Sequence, residues 1–277
     1  MAIPFHKLGL NRDESHLLAQ IVAYHHERGN IPIPEYVMSN YRENILPYRE
    51  EIENEHGIVL DDQVHGWKMN MVTKRIYSND HLYERYVILK GLLHRLDHSA
   101  SAHVPIELAT EMDLAEHVNV FFKDKLHARK NPLQTFTEKH KNNHLVIVAQ
   151  TGMGKTEAAL LWLGKDKGFF TLPLRVSINA MYSRIIDKNN IAFSKRSEEF
   201  GEEAVGLLHS TSFDYLLDIE EGNDETLEKI YSQSKEFANK LILCTVDQIL
   251  KFPFYYLGFE KEYATMATSK IVIDELQ

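Results

Sequence analysis

Leu145-Val146-Ile147-Val148-Ala149-Gln150-Thr151-Gly152-Met153-Gly154-Lys155-Thr156-Glu157-Ala158-Ala159-Leu160-Leu161-Trp162-Leu163 decides the reading of the second half of this chain. Its first four residues are apolar and mostly β-branched, the pattern of a buried strand. From Glu157 onward the residues favour a helix start. Strand, glycine loop and helix N-terminus together make a phosphate cradle. Gly152 and Gly154 let backbone N–H groups approach phosphate oxygens, and the helix dipole favours the anion. Lys155 can then reach the outer phosphates, while the Thr156 hydroxyl faces Mg²⁺. The general pattern G-x-x-x-x-G-K-[ST] has alanine at its first position here, Ala149.

A second run supports the first. Lys270-Ile271-Val272-Ile273 reads as another apolar strand, ending in Asp274-Glu275-Leu276-Gln277. In open α/β sheets, ligands bind outside the carboxyl ends of the strands. An aspartate there can hold Mg²⁺, and an adjacent glutamate can orient or deprotonate an attacking water. An acidic strand end is common by itself; paired with the glycine loop it indicates a nucleotide-hydrolysing core.

Composition bounds the rest. The chain has 277 residues, 44% of them hydrophobic and 26% charged, room for two modest domains. No apolar stretch approaches the ~18–20 residues of a membrane span. Met1-Ala2-Ile3-Pro4-Phe5-His6 lacks the basic-then-apolar order of a secretory signal. The one cysteine, Cys244, sits in the apolar run Leu241-Ile242-Leu243-Cys244, so a reducing cytoplasm fits. A net charge of −9 argues against a surface coated in basic residues, while leaving room for a local groove.

The region before about residue 115 reads as helical. Residues 80–97 carry Leu82, Tyr86, Leu89, Leu93 and Leu96 at steps of four and three, a buried helical stripe. Residues 15–27 carry Leu18, Ile21 and Val22 in the same way. Asn30-Ile31-Pro32-Ile33-Pro34 must be a loop. A polar stretch over residues 123–141 contains the turn Asn131-Pro132 and marks the expected boundary between domains 1–122 and 123–277. Beyond it, apolar runs at residues 145–149, 169–172, 204–208, 240–245 and 271–273 alternate with helical patterns. That alternation predicts a parallel sheet with covering helices.

Histidine is abundant at 15 residues, most of them before residue 145. His25 continues the stripe of Leu18 and Ile21, and His26 stands beside it. Asp97 follows Leu93 and Leu96 at the edge of the other stripe, and a buried carboxylate needs a partner or a metal. Each residue alone is ordinary. Together with His6 they point to a metal site. Nitrogen plus carboxylate ligands suit Mn²⁺, Fe²⁺, Co²⁺, Ni²⁺ or Zn²⁺ better than Ca²⁺, and such sites cleave phosphodiesters by activating water.

A helical His/Asp metal domain joined to a helicase core resembles the CRISPR-associated helicase–nucleases of type I interference systems. The loop matches the A-x-T-G-x-G-K-T variant that helicases use. Further matching segments are Leu133-Gln134, Thr171-Leu172-Pro173-Leu174-Arg175, Ser177-Ile178-Asn179-Ala180-Met181-Tyr182-Ser183-Arg184, Leu208-His209-Ser210 and Thr245-Val246-Asp247-Gln248-Ile249-Leu250. The match in the first half is looser and rests on Pro4-Phe5-His6, Tyr24-His25-His26 and Gly91-Leu92-Leu93 through Asp97 to Ser99-Ala100-Ser101.

The resemblance implies an all-helical HD-type domain, present in part, followed by the first RecA-like lobe of a superfamily 2 helicase. It assigns ATP and Mg²⁺ to Gln134, Thr151, Gly152, Gly154, Lys155, Thr156 and Asp274, with Lys155 and Glu275 as the catalytic pair. Gln134 would read the adenine. Thr171, Pro173, Arg175 and Thr245 would hold single-stranded DNA. His6, His25, His26 and Asp97 would bind the transition metal. The implied partners are single-stranded DNA and the RNA-guided surveillance complex Cascade, in a prokaryotic cytoplasm and without a membrane. No His-Asp doublet precedes His6, and the sequence stops at the second nucleotide motif. A piece of a longer nuclease–helicase, inactive alone, is therefore the expectation. A superfamily 2 helicase with a metal-free histidine domain and a non-catalytic nucleotide-binding scaffold are the alternatives.

Overall fold

The computed structural model describes residues 8–26, 33–194, 203–219, 224–250 and 252–275. It forms two compact units, Met1–His94 and Arg95–Gln277. No helix among the described residues is long and apolar enough to cross a membrane.

The first unit is helical: α1 (Arg12–Tyr24), α2 (Pro34–Asn44), α3 (Arg49–His56), α4 (Gly66–Thr73) and the start of α5 (Tyr83–Ser101). Asn11 and Glu14 close a reciprocal capping box that starts α1. Tyr24 and Ala19 on α1 pack against Val72 of α4. The fully buried Gln20 amide donates to the Val72 carbonyl at 2.7 Å, and the Tyr24 hydroxyl donates to the same oxygen at 3.1 Å. Lys68, completely buried, is neutralised by Asp61.

Two stripes differ from the sequence reading. Val22 is 50% exposed, because α1 turns Leu17, Gln20, Ile21 and Tyr24 inward instead. On α5, Leu89 and Leu96 lie at the surface, while Lys90, His94, Arg95 and Ser99 are buried. Leucines at positions 89, 92, 93 and 96 span more than one helical face, so apolar spacing left two stripes to choose between. Hydrogen bonds decide: Arg95 donates to the Ile106 carbonyl at 2.9 Å and to Glu107 at 2.7 Å, which a solvent-facing arginine could not do.

The second unit contains α6 (Leu114–Val120), a π-helical turn at Phe121–Lys125, α7 (Pro132–Lys139) and α8 (Lys155–Leu163). Then follow β1 (Gly168–Thr171), α9 (Arg175–Ile186), β2 (Val205–Leu208), α10 (Ser212–Ile219), α11 (Asp224–Lys235), β3 (Leu241–Cys244), α12 (Val246–Ile249), α13 (Phe259–Met266) and β4 (Lys270–Ile273). The strands form one parallel sheet in the order β2-β3-β1-β4. Strand alternation sends Phe170, Leu241, Leu243 and Leu207 to one face, where they meet Leu160 and Leu161 of α8 and Ile178 and Tyr182 of α9. Phe169, Ile242 and Cys244 face the other way, onto Phe237, Ile249 and Met266. Burial holds the Cys244 thiol protonated, its pKa pushed well above the ordinary value.

Residues 145–148 are not a strand. Val146 and Val148 are 95% and 98% exposed, and no described strand pairs with this segment. A β-branched run has strand propensity, but a strand exists only within a hydrogen-bonded ladder.

Candidate functional site

The glycine loop is closed by the geometry that only glycine adopts freely. Gly152 and Gly154 have φ of +82° and +72°. Gly154 is the N-cap of α8, so the first amides of this helix have no intrahelical acceptor and point toward the loop. The Lys155 ammonium folds back onto the Ala149 carbonyl at 3.2 Å, across the loop it follows. Helix α7 seats on the same loop. Asn131 and Gln134 form a capping box, with Asn131 N–H to Gln134 Oε1 at 2.9 Å and Gln134 N–H to Asn131 Oδ1 at 2.9 Å. From there Asn131 Nδ2 donates to the Met153 carbonyl at 2.9 Å, and Gln134 Nε2 approaches the Gly154 carbonyl at 3.4 Å. A Cβ on Gly154 would lie 2.3 Å from Gln134 Nε2. Gly154 is therefore fixed twice, by its φ and by the amide above it.

Asp274 continues the ladder past β4, donating its N–H to the Thr171 carbonyl at 3.1 Å. Lys155 and Asp274 line one cavity of about 210 Å³ together with Ile147, Phe170 and Ile273. A cation and a carboxylate at the carboxyl end of a parallel sheet suit a phosphate and its counter-cation. Glu275 is exposed with φ +59°, a conformation uncommon for a side chain of its kind. Thr151, Gly152 and Met153 are exposed, and Thr156 is half-buried at the first turn of α8.

The residues matched to DNA contacts lie at or just after the carboxyl ends of β1 and β3, with different surroundings. Pro173 and Arg175 are exposed after β1, and Arg175 donates to Ser210 Oγ at 3.0 Å. Thr245 is half-buried at the start of α12. Thr171 is only 1% exposed and its hydroxyl donates to the Val272 carbonyl at 3.2 Å, so its side chain serves the sheet.

Sequence reasoning assigned no role to several side chains around this edge. Glu157, buried on α8, pairs with Arg184 of α9 and ties the two helices. Along α9, residues one turn apart bond to the segment after β2. Asn179 Oδ1 lies 2.7 Å from His209 Nε2, and Ser183 Oγ lies 2.7 Å from the Tyr215 hydroxyl. His209 Nδ1 accepts the Thr211 N–H at 3.3 Å, so Nε2 carries the proton and donates to Asn179. Burial, reinforced by the Arg175 guanidinium, lowers the His209 pKa and favours that neutral form. A spacing of four between Arg175, Asn179 and Ser183 was the available signal.

The histidines sit at the end of α1. His25 is its C-cap and half-buried, and His26 is exposed beside it, with ring centroids 4.0 Å apart. His25 Nδ1 donates to the Val22 carbonyl at 2.7 Å, which leaves Nε2 with its lone pair free for a ligand bond. His94 of α5 bonds to the His25 carbonyl. Helix α5 runs unbroken through Ser101, and Asp97 stands nearly one turn beyond His94 on it. His25 and His26 belong to the first unit, and Asp97 is half-buried on the second. That set of two imidazoles and a carboxylate suits a transition metal by donor type. His6 lies outside the described residues.

No family model matches the chain, and no solved structure does. Two curated proteins are similar to it. One is the CRISPR-associated nuclease/helicase Cas3 of Methanothermobacter thermautotrophicus, 32% identical over 194 residues, which are 69% of this chain and 22% of that protein. The other is the putative CRISPR-associated nuclease/helicase Cas3 of Methanocaldococcus jannaschii, 32% identical over 149 residues, 49% of this chain and 19% of that protein. The chain thus spans about a fifth of the length of each relative it matches. Over that stretch it is a homologue of the CRISPR-associated Cas3 nuclease/helicases.

Proposed function

We propose that this chain supplies the ATP–Mg²⁺ site of a DNA-translocating helicase, and part of a metal-dependent DNA nuclease, acting in CRISPR interference of type I. The observation that carries the first reading is the shared cavity of Lys155 and Asp274, at the mouth of a glycine loop whose two glycines have positive φ. ATP phosphates would rest on the loop and the first amides of α8, with Lys155 released from the Ala149 carbonyl to the outer phosphates. Thr156 and Asp274 would hold Mg²⁺, and Glu275 would orient the attacking water. Single-stranded DNA would track the exposed ends after β1 and β3, past Pro173, Arg175 and Thr245. Cascade is the partner this reading implies.

For the nuclease, the donor types of His25, His26 and Asp97 suit Mn²⁺, Fe²⁺, Co²⁺, Ni²⁺ or Zn²⁺, with His6 as a further candidate. When bound, the metal would lower the pKa of a water and neutralise charge on the phosphodiester. The protein's own contribution there is the Val22 carbonyl, which sets the His25 tautomer.

Titration of a fluorescent ATP analogue in the presence of Mg²⁺ tests the nucleotide reading. Lys155→Ala removes the lysine cation at the loop mouth and should abolish saturable binding. Equal affinity in wild type and variant would make the loop a structural turn.

A further inference from the structure

The loop and the strand that carries Asp274 are joined at their far ends by one side chain. Lys270 opens β4, and its ammonium donates to the Trp162 carbonyl at 2.7 Å and to the Leu163 carbonyl at 3.4 Å. Those are carbonyls of the last turn of α8, which have no intrahelical donor. The same ammonium lies 4.8 Å from the centre of the Trp162 ring and 2.8 Å from Asp166. Its side chain is 15% exposed, so the contacts are little diluted by water. Trp162 extends the connection, because its indole N–H donates to the Asn143 carbonyl at 3.0 Å. Asn143 leads directly into the segment before the glycine loop.

These contacts close one end of a frame. One side is α8, from Trp162 back to Lys155, about 10 Å at the helical rise. The other is β4, from Lys270 to Asp274, about 13 Å at the strand rise. The two sides have similar lengths, and both free ends reach the same cavity. Sliding of α8 along β4 is resisted at one end by Lys270 and would be felt at the other as a change in the Lys155–Asp274 separation. Among the described residues, β4 has a ladder partner on one side only, so it lacks a second strand to hold its register.

The geometry points to Lys270 as a positioning residue for the nucleotide site. It sets the register between the helix that binds phosphate and the strand that binds the phosphate's cation. This rests on the nucleotide reading given above. A positive charge on α8's C-terminal carbonyls also complements the helix dipole whose opposite end faces the phosphates.

The experiment measures affinity for a fluorescent ATP analogue with and without Mg²⁺, using the full chain. Phosphate binding by the loop alone needs no register with Asp274, whereas the gain from Mg²⁺ does. Lys270→Met should therefore leave Mg²⁺-free affinity within about twofold of wild type and cut the Mg²⁺-dependent gain at least about fivefold. Lys270→Arg, which can still reach both carbonyls and stack on Trp162, should restore the gain. Asp166→Asn removes the carboxylate that steadies Lys270 without uncovering any carbonyl. It should lose part of the gain, and it covers the case in which Lys270→Met does not fold. A merely structural role for Lys270 would lower thermal stability and both affinities together, with no selective loss of the Mg²⁺ gain. That result, or a full gain in both Lys270→Met and Asp166→Asn, overturns the proposal. A wild-type chain without any Mg²⁺-dependent binding instead removes the nucleotide reading, and this proposal with it.

Discussion

Replacing Lys167 by methionine should stabilise this protein at neutral pH, although it deletes two hydrogen bonds and an ion pair. Lys167 stands just before β1, at the amino edge of the sheet, with its side chain 9% exposed. Its ammonium lies 2.6 Å from Glu107 Oε2 and 2.8 Å from the Asn239 carbonyl. Burial pushes its pKa from 10.5 down to about 8, against the pull of Glu107, and the charges of Arg95 and Lys240 act in the same direction as burial. The charged form is therefore disfavoured in the folded state by about 3 kcal/mol relative to an exposed lysine. Since the folded pKa lies below the unfolded one, the cost is present in full below pH 8. It is relieved as pH rises toward 10.5. Methionine keeps most of the length and removes the ammonium, while Glu107 keeps Arg95 at 2.7 Å on its other oxygen. Urea unfolding followed by circular dichroism should show Lys167→Met more stable by about 1–3 kcal/mol at pH 7, the buried-ion-pair behaviour seen when desolvation exceeds attraction. The difference from wild type should shrink between pH 8 and 10.5. A loss of several kcal/mol at pH 7, or a difference that does not change with pH, would refute the reasoning.

Three further outcomes are expected. Gly154→Ala must bear a φ of +72°, about 1–2 kcal/mol for a non-glycine residue, and must displace the Gln134 amide 2.3 Å away. Its nucleotide affinity should fall about tenfold or more, whereas Gly152→Ala, with open space around its Cβ, bears the φ cost alone; calorimetric titration and thermal melts separate them. The lowered pKa of His209 means that the unfolded chain takes up a proton before the folded one, so stability is lost as pH falls below the ordinary histidine range near 6.5. His209→Gln should flatten that acid limb in a melting series from pH 7.5 to 5. Finally, Mn²⁺ titration should show binding in wild type that Asp97→Asn and His25→Ala each weaken at least tenfold, and unchanged binding in both variants would dismiss the site.

Much of the second unit is legible in the sequence because its signals are short-range. The glycines at 152 and 154 need only local backbone freedom, and the apolar runs read at 169–172, 204–208, 240–245 and 271–273 overlap the four strands. Residues 145–148 carry the same signal and form no strand, since pairing depends on a neighbour elsewhere in the chain. Helix α5 shows a second limit. Its sequence marks leucines as the core face, yet Arg95 and His94 turn inward because distant carbonyls and Glu107 accept their protons. Periodicity counts apolar residues and cannot count acceptors.

The same distinction runs through the site. The family resemblance makes Gln134 a recogniser of adenine. In the fold its Oε1 accepts the Asn131 N–H and its Nε2 lies over Gly154, so the amide is already held by helix cap and loop together. Gln134 is only 4% exposed; its amide oxygen has two lone pairs and its nitrogen two protons, so each atom keeps one further bonding direction. Those are the two complements of an adenine edge, which offers a ring-nitrogen acceptor and an amino donor. If Gln134 reads adenine as proposed, capping would fix its orientation in advance, and less side-chain entropy would be lost when a base arrives. Gln134 in turn confines Gly154, since a Cβ there would lie 2.3 Å from its Nε2. A residue read as a specificity contact is in this chain also a support of the loop it was expected to serve.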